Sequence, residues 1–133
     1  MITTTDIANI LYRECRVFGI ERFKEGNVAK GKLTGERIVV HAREPKPEST
    51  WKKSFCEVNF LVPDLSLHQA NLIRLNEIER RVCKTFKSVV GSMDGTTYKF
   101  GVYSTHTEED KDLQCHFINA KILFQVHNIT END

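Results

Sequence analysis

The chain lacks the features that mark secreted, membrane-spanning or disulfide-rich proteins. It has no apolar run near the roughly 18 residues that a membrane span needs, and its first residues lack the basic and apolar segments of a signal peptide. Its four cysteines show no C-x-x-C pair and no other zinc-ligand spacing. We therefore expect a cytoplasmic protein with reduced thiols in or near the core, at Cys15, Cys56, Cys83 and Cys115.

A surplus of charge of either sign is also missing. Nineteen basic residues against eighteen acidic ones leave a formal net charge of +1. This balance gives no broad positive surface for nucleic acid or anionic lipid, although it does not exclude local charged patches. With 133 residues the chain is long enough to bury a core without disulfides, and we expect one domain over residues 1–133.

Catalytic motifs are absent as well. The sequence has no G-x-S-x-G elbow, no H-E-x-x-H pair and no G-x-x-x-x-G-K-[ST] phosphate loop. Cys56 and Cys83 lie in or beside predicted apolar stripes, where burial disfavours a thiolate nucleophile. We therefore expect a protein that is not an enzyme and that has no cofactor.

Two amphipathic helices are the clearest positive signal. Residues 4–18 place an apolar stripe on one face, and Gly19 suits the position after the helix end. An S-x-x-Q capping box at Ser66 predicts that a second helix begins at Leu67. The stripe of this second helix consists of Leu72, Leu75, Ile78, Val82, Phe86 and Val89, after which residues 91–95 turn the chain.

Alternating and β-branched segments predict a sheet. Residues 37–42 and 54–62 have strand patterns, and a long hairpin runs through residues 98–106, an acidic turn at 108–112 and residues 113–129. Placing its apolar residues on one face pairs Val102 with Ala120, Phe100 with Ile122 and Tyr98 with Phe124. The sequence thus predicts an α+β fold, a small mostly antiparallel sheet of about four to five strands with two helices, in the order α-β-β-α-β-β.

A weak metal-site signal accompanies this register. It would make His106 and His116 cross-strand partners, with Glu108, Asp110 and Asp112 nearby as oxygen donors. Two histidines without a third fixed ligand equally describe the polar end of a hairpin. Our interpretation is that the chain holds no metal there.

Three candidate contact surfaces stand out. Residues 43–53 contain two prolines and predict a projecting loop that carries Trp51, Lys52 and Lys53. Trp is a favoured interface anchor, although packing against its own domain explains it equally well. The other two surfaces are the acidic turn, with Glu108, Glu109, Asp110 and Asp112, and an outward patch of Tyr103 and Leu123.

Element order then suggests a family. The first helix, the R-I-V-V-H strand from Arg37, the F-C-E-V-N-F-L-V strand from Phe55, the long helix and the final hairpin together resemble the tail-completion or tail-terminator proteins of long-tailed bacteriophages. The resemblance covers residues 3–129 and rests on element order and size. It implies no catalytic motif whose residues could be matched in this chain.

The resemblance implies a structural virion protein assembled in the host cytoplasm. Such proteins cap the tail tube as a ring, of about six subunits, and dock to neck proteins, and a ring joins unlike surfaces of neighbouring subunits. The basic loop of one subunit would meet the acidic turn of the next. Two other functions remain open: a nucleic-acid-associated accessory protein that uses the basic loop and second helix, and a metal-dependent enzyme at His106 and His116.

Overall fold

The computed structural model describes residues 1–25, 31–46 and 51–127. Within these ranges the chain forms an α+β fold with two α-helices and one six-stranded mixed sheet. In chain order the elements are α1 (Thr4–Glu14), a 3-10 helix (Cys15–Phe18), β1 (Glu21–Lys24), β2 (Arg37–His41), β3 (Trp51–Pro63), α2 (Leu72–Thr85), β4 (Val89–Met93), β5 (Thr96–Asp110) and β6 (Cys115–His127). The predicted class is confirmed.

The sheet order is β1-β2-β3-β6-β5-β4, and only the β1–β2 pair is parallel among the described strands. The predicted count of four to five strands was wrong because β1 and β4 were missed. β1 has four residues with a single apolar side chain, Phe23, and so shows no alternation. β4 contains Gly91 and follows the helix directly, so its residues were assigned to the helix end and a turn.

Both helices pack on one face of the sheet, which we call the inner face. Its core joins apolar residues of α1, such as Ile10, and of α2, such as Ile78, to every second residue of the long strands. Phe18, Phe60 and Phe86 make edge-to-face contacts at the centre. The strands thereby gain helical cover on one side, and the opposite, outer face is left for other contacts.

The first helical segment matches its prediction. Thr3 caps α1 by accepting a hydrogen bond from the Asp6 amide through its hydroxyl oxygen, and the Asp6 carboxylate accepts one from the Thr3 amide. The final turn tightens into the 3-10 helix over Cys15–Phe18. Gly19 then ends it in the left-handed region, with φ of 68°, where glycine carries no steric penalty.

The start of the second helix was predicted five residues too early. Ser66 donates its hydroxyl to the Gln69 side chain within a tight turn, and His68 in that turn has φ of 60°. A left-handed residue cannot continue a right-handed helix, so α2 begins only at Leu72, capped by Asn71. Leu72 therefore lies outside the buried stripe and is exposed.

The first strand of the hairpin is longer than predicted, and the register differs. Tyr98 pairs with Val126, Phe100 with Phe124 and Val102 with Ile122, a shift of two residues that keeps the predicted faces. A bulge between Val102 and Ser104 changes the register once more. β5 consequently extends to Asp110, and the turn occupies residues 111–114.

Candidate interaction surface

The outer face of the sheet divides into two halves. In one half, Leu33 from the segment before β2 crosses the strands and donates its amide to the Leu113 carbonyl at 2.8 Å. We call this the covered half; its buried core consists of Leu33, Val39, Leu61 and Cys115, with Phe23, Leu113 and Phe117 packed around it. Here an apolar outer face is closed by the chain's own loop.

The other half is open, and we call it the bare half. It consists of alternate residues of the same strands: Trp51, Lys53 and Phe55 of β3, Lys99 and Tyr103 of β5, and Lys121 and Leu123 of β6. Phe55 is 43% exposed and Tyr103 is 63% exposed, yet their rings contact each other at 5.1 Å. An aromatic pair held in place and left in water is a typical feature of a binding surface.

Lysines stabilise the rings of the bare half. Lys121 Nζ lies 4.5 Å from the Phe55 ring centre and 5.4 Å from that of Tyr103. Lys99 Nζ lies 4.4 Å from the ring centre of Trp51. These cation–π contacts contribute about 0.5–1 kcal/mol each at exposed sites and help to fix the ring orientations.

A pair of asparagines separates the two halves. Asn119 donates its side-chain amide to the side-chain carbonyl of Asn59 on the neighbouring strand at 2.7 Å, and Asn119 is buried. The hydrogen bond satisfies polar atoms that would otherwise be costly at a closed site. It marks the point at which apolar cover ends.

Basic pockets border the bare half on two sides. One of about 240 Å³ is lined by Lys87, Lys99, Tyr103 and Leu123 among others. Another of about 410 Å³ lies between Arg43, Lys46, Lys53 and Phe55. The bare half is thus an aromatic platform within a rim of net positive charge, in which Glu44 and Glu57 accompany the more numerous cations.

The predicted loop residues lie in a strand rather than a loop. Trp51, Lys52 and Lys53 begin β3 and pair with His127, Val126 and Gln125 of β6, so the prediction of a projecting loop that carries them was wrong. Lys53 also exchanges both backbone hydrogen bonds with Lys46, which closes the connection on itself. The centre of that connection, residues 47–50, lies outside the described part of the chain.

The structure brings Trp51, Lys53, Tyr103 and Leu123 to one surface, and Lys52 points to the opposite side of β3. Phe55, Lys99 and Lys121 of this surface were not predicted as contact residues. Strand alternation was the signal that could have found them, because Phe55 has the same parity as Trp51.

The predicted acidic turn is mostly strand. Glu108, Glu109 and Asp110 belong to β5, and Asp112 alone of the four lies in the turn. We call these four residues the acidic end. They lie at the far end of the long strands from Trp51, since β3 and β5 run antiparallel to β6.

A second exposed apolar surface lies beside the acidic end. The loop after β3 and the first turn of α2 leave four aliphatic side chains more than half exposed, and His68 in this loop contacts Glu109 at 2.8 Å. This hydrogen bond lowers the pKa of the Glu109 carboxyl. We call the set the aliphatic loop: Leu65, Leu67, Leu72 and Ile73.

The predicted pairing of His106 with His116 was wrong. After the bulge, His106 lies opposite Asn119 and His116 opposite Glu109, and the two imidazoles are on different faces. His106 Nε2 contacts Glu108 at 2.8 Å, and His116 Nδ1 contacts Asp64 at 2.6 Å. Asp64 was missed because it follows the strand-ending Pro63 and belongs to no motif.

Two of the four basic residues of α2, Arg74 and Arg81, are engaged within the chain. Arg74 forms two hydrogen bonds with Glu36, at 2.6 and 2.8 Å, which raise the pKa of its guanidinium. Arg81 donates to the carbonyl of Val17 and covers the Phe18 ring. Neither guanidinium is positioned as a free phosphate contact.

Cys15, Cys56 and Cys115 are buried as expected, whereas the prediction for Cys83 was wrong, since it lies on the exposed face of α2. Burial raises the pKa of Cys15 and of Cys115 to about 12, and the carboxylates of Asp110 and Asp64 add to the effect at Cys115. These thiols stay protonated at neutral pH and are poor nucleophiles.

Comparison of the chain with models of protein families, with curated proteins and with solved structures gave no match. Among the described residues, no helix has the length and apolar character needed to cross a bilayer.

Proposed function

We propose that the protein is a structural subunit that assembles with copies of itself into a ring, with the bare half of one subunit seated on the acidic end and aliphatic loop of the next. The finer role that we propose is tail completion in a long-tailed bacteriophage. In that role the ring, of about six subunits, caps the tube and docks to neck proteins.

The contrast between the two halves of the outer face carries the proposal. The covered half shows what this sheet does with outward apolar residues: it buries them under Leu33. The bare half carries the rings of Trp51, Phe55 and Tyr103, and among the described residues no loop covers it as Leu33 covers the other half. A neighbouring subunit would supply the missing cover and bury surface that otherwise faces water.

The positions of the two surfaces favour a ring over a two-fold dimer. The bare half lies near the start of β3 and the aliphatic loop beyond its end, with Phe55 and Pro63 separated by roughly 27 Å of strand. Unlike surfaces at opposite ends produce head-to-tail contacts, which close into rings when the rotation permits.

Charge complements this arrangement. Lys53, Lys99 and Lys121 surround the rings of the bare half, whereas the acidic end presents four carboxylates with one lysine, Lys111, among them. A basic surface and an acidic surface on one molecule attract each other between copies and set their register. Self-association is then weaker at high salt.

The deciding experiment is absolute mass by light scattering over a concentration series, with negative-stain microscopy of the main peak. We expect an annular species near six times the 15.3 kDa mass of the chain. The matched variants are Phe55→Asp in the bare half and Val17→Asp, an exposed apolar residue outside both surfaces. Phe55→Asp is expected to abolish association and Val17→Asp to preserve it; equal behaviour of the two variants would contradict the proposal.

One further outcome would replace the proposal. Aromatic rings within a basic rim are also the composition of single-strand nucleic-acid platforms. Salt-sensitive binding of a single-stranded oligonucleotide that is lost in Trp51→Ala, together with a monomeric mass at all concentrations, would assign the bare half to nucleic acid instead.

A further inference from the structure

We propose that Asp64, Glu109 and His116 form a binding site for one divalent transition-metal ion, with Zn²⁺ as the best-fitting ion. The site lies on the inner side of the sheet at the acidic end. It is separate from the bare half and does not depend on the proposed ring.

The three side chains converge from three segments of the chain. Asp64 follows β3, Glu109 is near the end of β5, and His116 is the second residue of β6. One potential ligand atom from each lies within 4.8 Å of the other two. Zinc bonds of about 2.0–2.2 Å hold tetrahedral ligand atoms roughly 3.3 Å apart. Side-chain rotations that move the ligand atoms by about 1 Å are therefore enough to close the site.

The buried carboxylate of Asp64 is an independent indication of a ligand. Its side chain is only 4% exposed, and its Oδ1 lies within hydrogen-bond distance of His116 Nδ1, at 2.6 Å. Oδ2 is buried and has no hydrogen-bond partner among the described residues. A buried carboxylate oxygen without a partner is costly, and a cation beside it removes that cost.

His68 holds the second carboxylate in position. Its Nδ1 contacts Glu109 Oε2 at 2.8 Å across 41 residues of sequence. His68 adopts φ of 60°, an uncommon conformation for a non-glycine residue, and the turn closed by Ser66 and Gln69 maintains it. Carboxylate ligands are commonly oriented by such outer hydrogen bonds, so we assign His68 as a positioning residue.

The donor set selects the class of ion. One imidazole nitrogen with two carboxylate oxygens suits Zn²⁺ and neighbouring first-row ions, whereas Mg²⁺ and Ca²⁺ prefer oxygen donors alone. A bound ion would tie the end of β3 to the β5–β6 hairpin and offset the charges of Asp64 and Glu109. The acidic end would become more rigid and less negative.

The test uses the full chain after treatment with a chelator, titrated with ZnCl₂ in a calorimeter. We expect one equivalent of Zn²⁺ to bind to the unaltered chain and Asp64→Asn and His116→Gln to lose this event. His106→Gln is the matched control, because His106 lies on the same hairpin, contacts Glu108 and is outside the site. Equal zinc binding by the unaltered chain and by Asp64→Asn would overturn the proposal, as would no binding by the unaltered chain.

Two further measurements separate binding from folding. The thermal midpoint of the unaltered chain is expected to rise by about 5–10 °C at a hundredfold excess of Zn²⁺ over Kd, and MgCl₂ at the same concentration is expected to leave it unchanged. His68→Ala is expected to weaken zinc binding by about 10–100-fold. His68→Asn, which tolerates the same backbone conformation and keeps a donor for Glu109, is expected to restore most of the affinity. An unchanged zinc Kd in His68→Ala would remove the positioning role.

Discussion

The covered and bare halves of the outer face are built from the same strands, yet they differ in how far their outward apolar side chains are shielded from water. Leu61 and Phe55 both point outward from β3, and Leu61 is 6% exposed whereas Phe55 is 43% exposed. The difference comes from Leu33, which lies over one half only. Outward apolar residues in a small domain need cover, and the source of that cover decides whether they contribute to folding or to association.

The residue types of the two halves agree with this division. The buried centre of the covered half consists of aliphatic side chains and a cysteine, like a protein interior, with Phe23 and Phe117 only at its edge. The bare half alternates aromatic rings with lysines, whose aliphatic stems cover the rings and whose ammonium groups stay in water. The first composition suits permanent burial, and the second suits a surface that must be stable both free and bound.

The largest expected effect is the difference in folding stability between a truncated Leu61 and a truncated Phe55. Leu61→Ala should lower the free energy of unfolding by about 2–4 kcal/mol, since it leaves a cavity under Leu33. Phe55→Ala should cost less than about 1 kcal/mol, because much of the ring is already in water. Urea denaturation of the dilute, monomeric chain measures both, and a similar loss in the two variants would mean that the bare half is also part of the core.

The inner face could be predicted from the sequence, and the outer face only in part. Val58, Phe60 and Val62 alternate, and periodicity of this kind reports which residues share a face. It does not report whether a face is covered, which depends on where a loop such as the one with Leu33 crosses. The two-residue register shift and the β5 bulge, which together place His116 opposite Glu109 instead of His106, also have no signature in the local pattern.

The residues of the proposed metal site could likewise be predicted from the sequence only in part. His116 was named from the sequence as a candidate metal ligand and Glu109 only as a contact residue, whereas Asp64 was not named. His68 lies in a segment that was predicted to be helical. A single left-handed residue, His68, changed the path of that segment and brought its side chain to Glu109. Local propensity gave the wrong element there because tertiary contacts decided the conformation.

The second prediction uses a thiol to report opening of the covered half. Cys115 is fully buried with a pKa of about 12, whereas Cys83 is exposed on α2. In a Cys83→Ser background, a thiol reagent at pH 8 should label Cys115 only slowly. Leu33→Ala should accelerate that labelling by at least about tenfold, since it removes much of the cover. Mass spectrometry of digested samples identifies the modified residue; an unchanged rate at Cys115 would show that Leu33 does not control access.

The third prediction tests which surface meets the bare half. Lys53→Glu with Lys99→Glu, both in the bare half, should weaken self-association by about tenfold, or about 1.4 kcal/mol. Glu108→Lys with Asp112→Lys should have a similar effect from the other side. Mixing the two doubly reversed chains should restore association. The altered surface of each chain then meets the altered, oppositely charged surface of the other, and the two unaltered surfaces meet as before. Mixed samples that stay as weak as the separate ones, by light scattering, would place the contact elsewhere.

The smallest expected effect concerns a charge group at the rim of the bare half. The hydrogen bond from His41, assisted by the Arg43 charge, lowers the pKa of the Glu25 carboxyl. A lowered folded-state pKa means that the contribution to stability is present above the ordinary glutamate pKa and is lost as the pH falls through the folded-state value. Because Glu25 is more than half exposed, the contribution should be below about 1 kcal/mol. Glu25→Gln should therefore lower stability slightly at pH 7 and leave it unchanged near pH 3, as measured by urea denaturation at both values. A larger loss at pH 3 than at pH 7 would reverse the sign and show that the Glu25 pairing does not stabilise the fold.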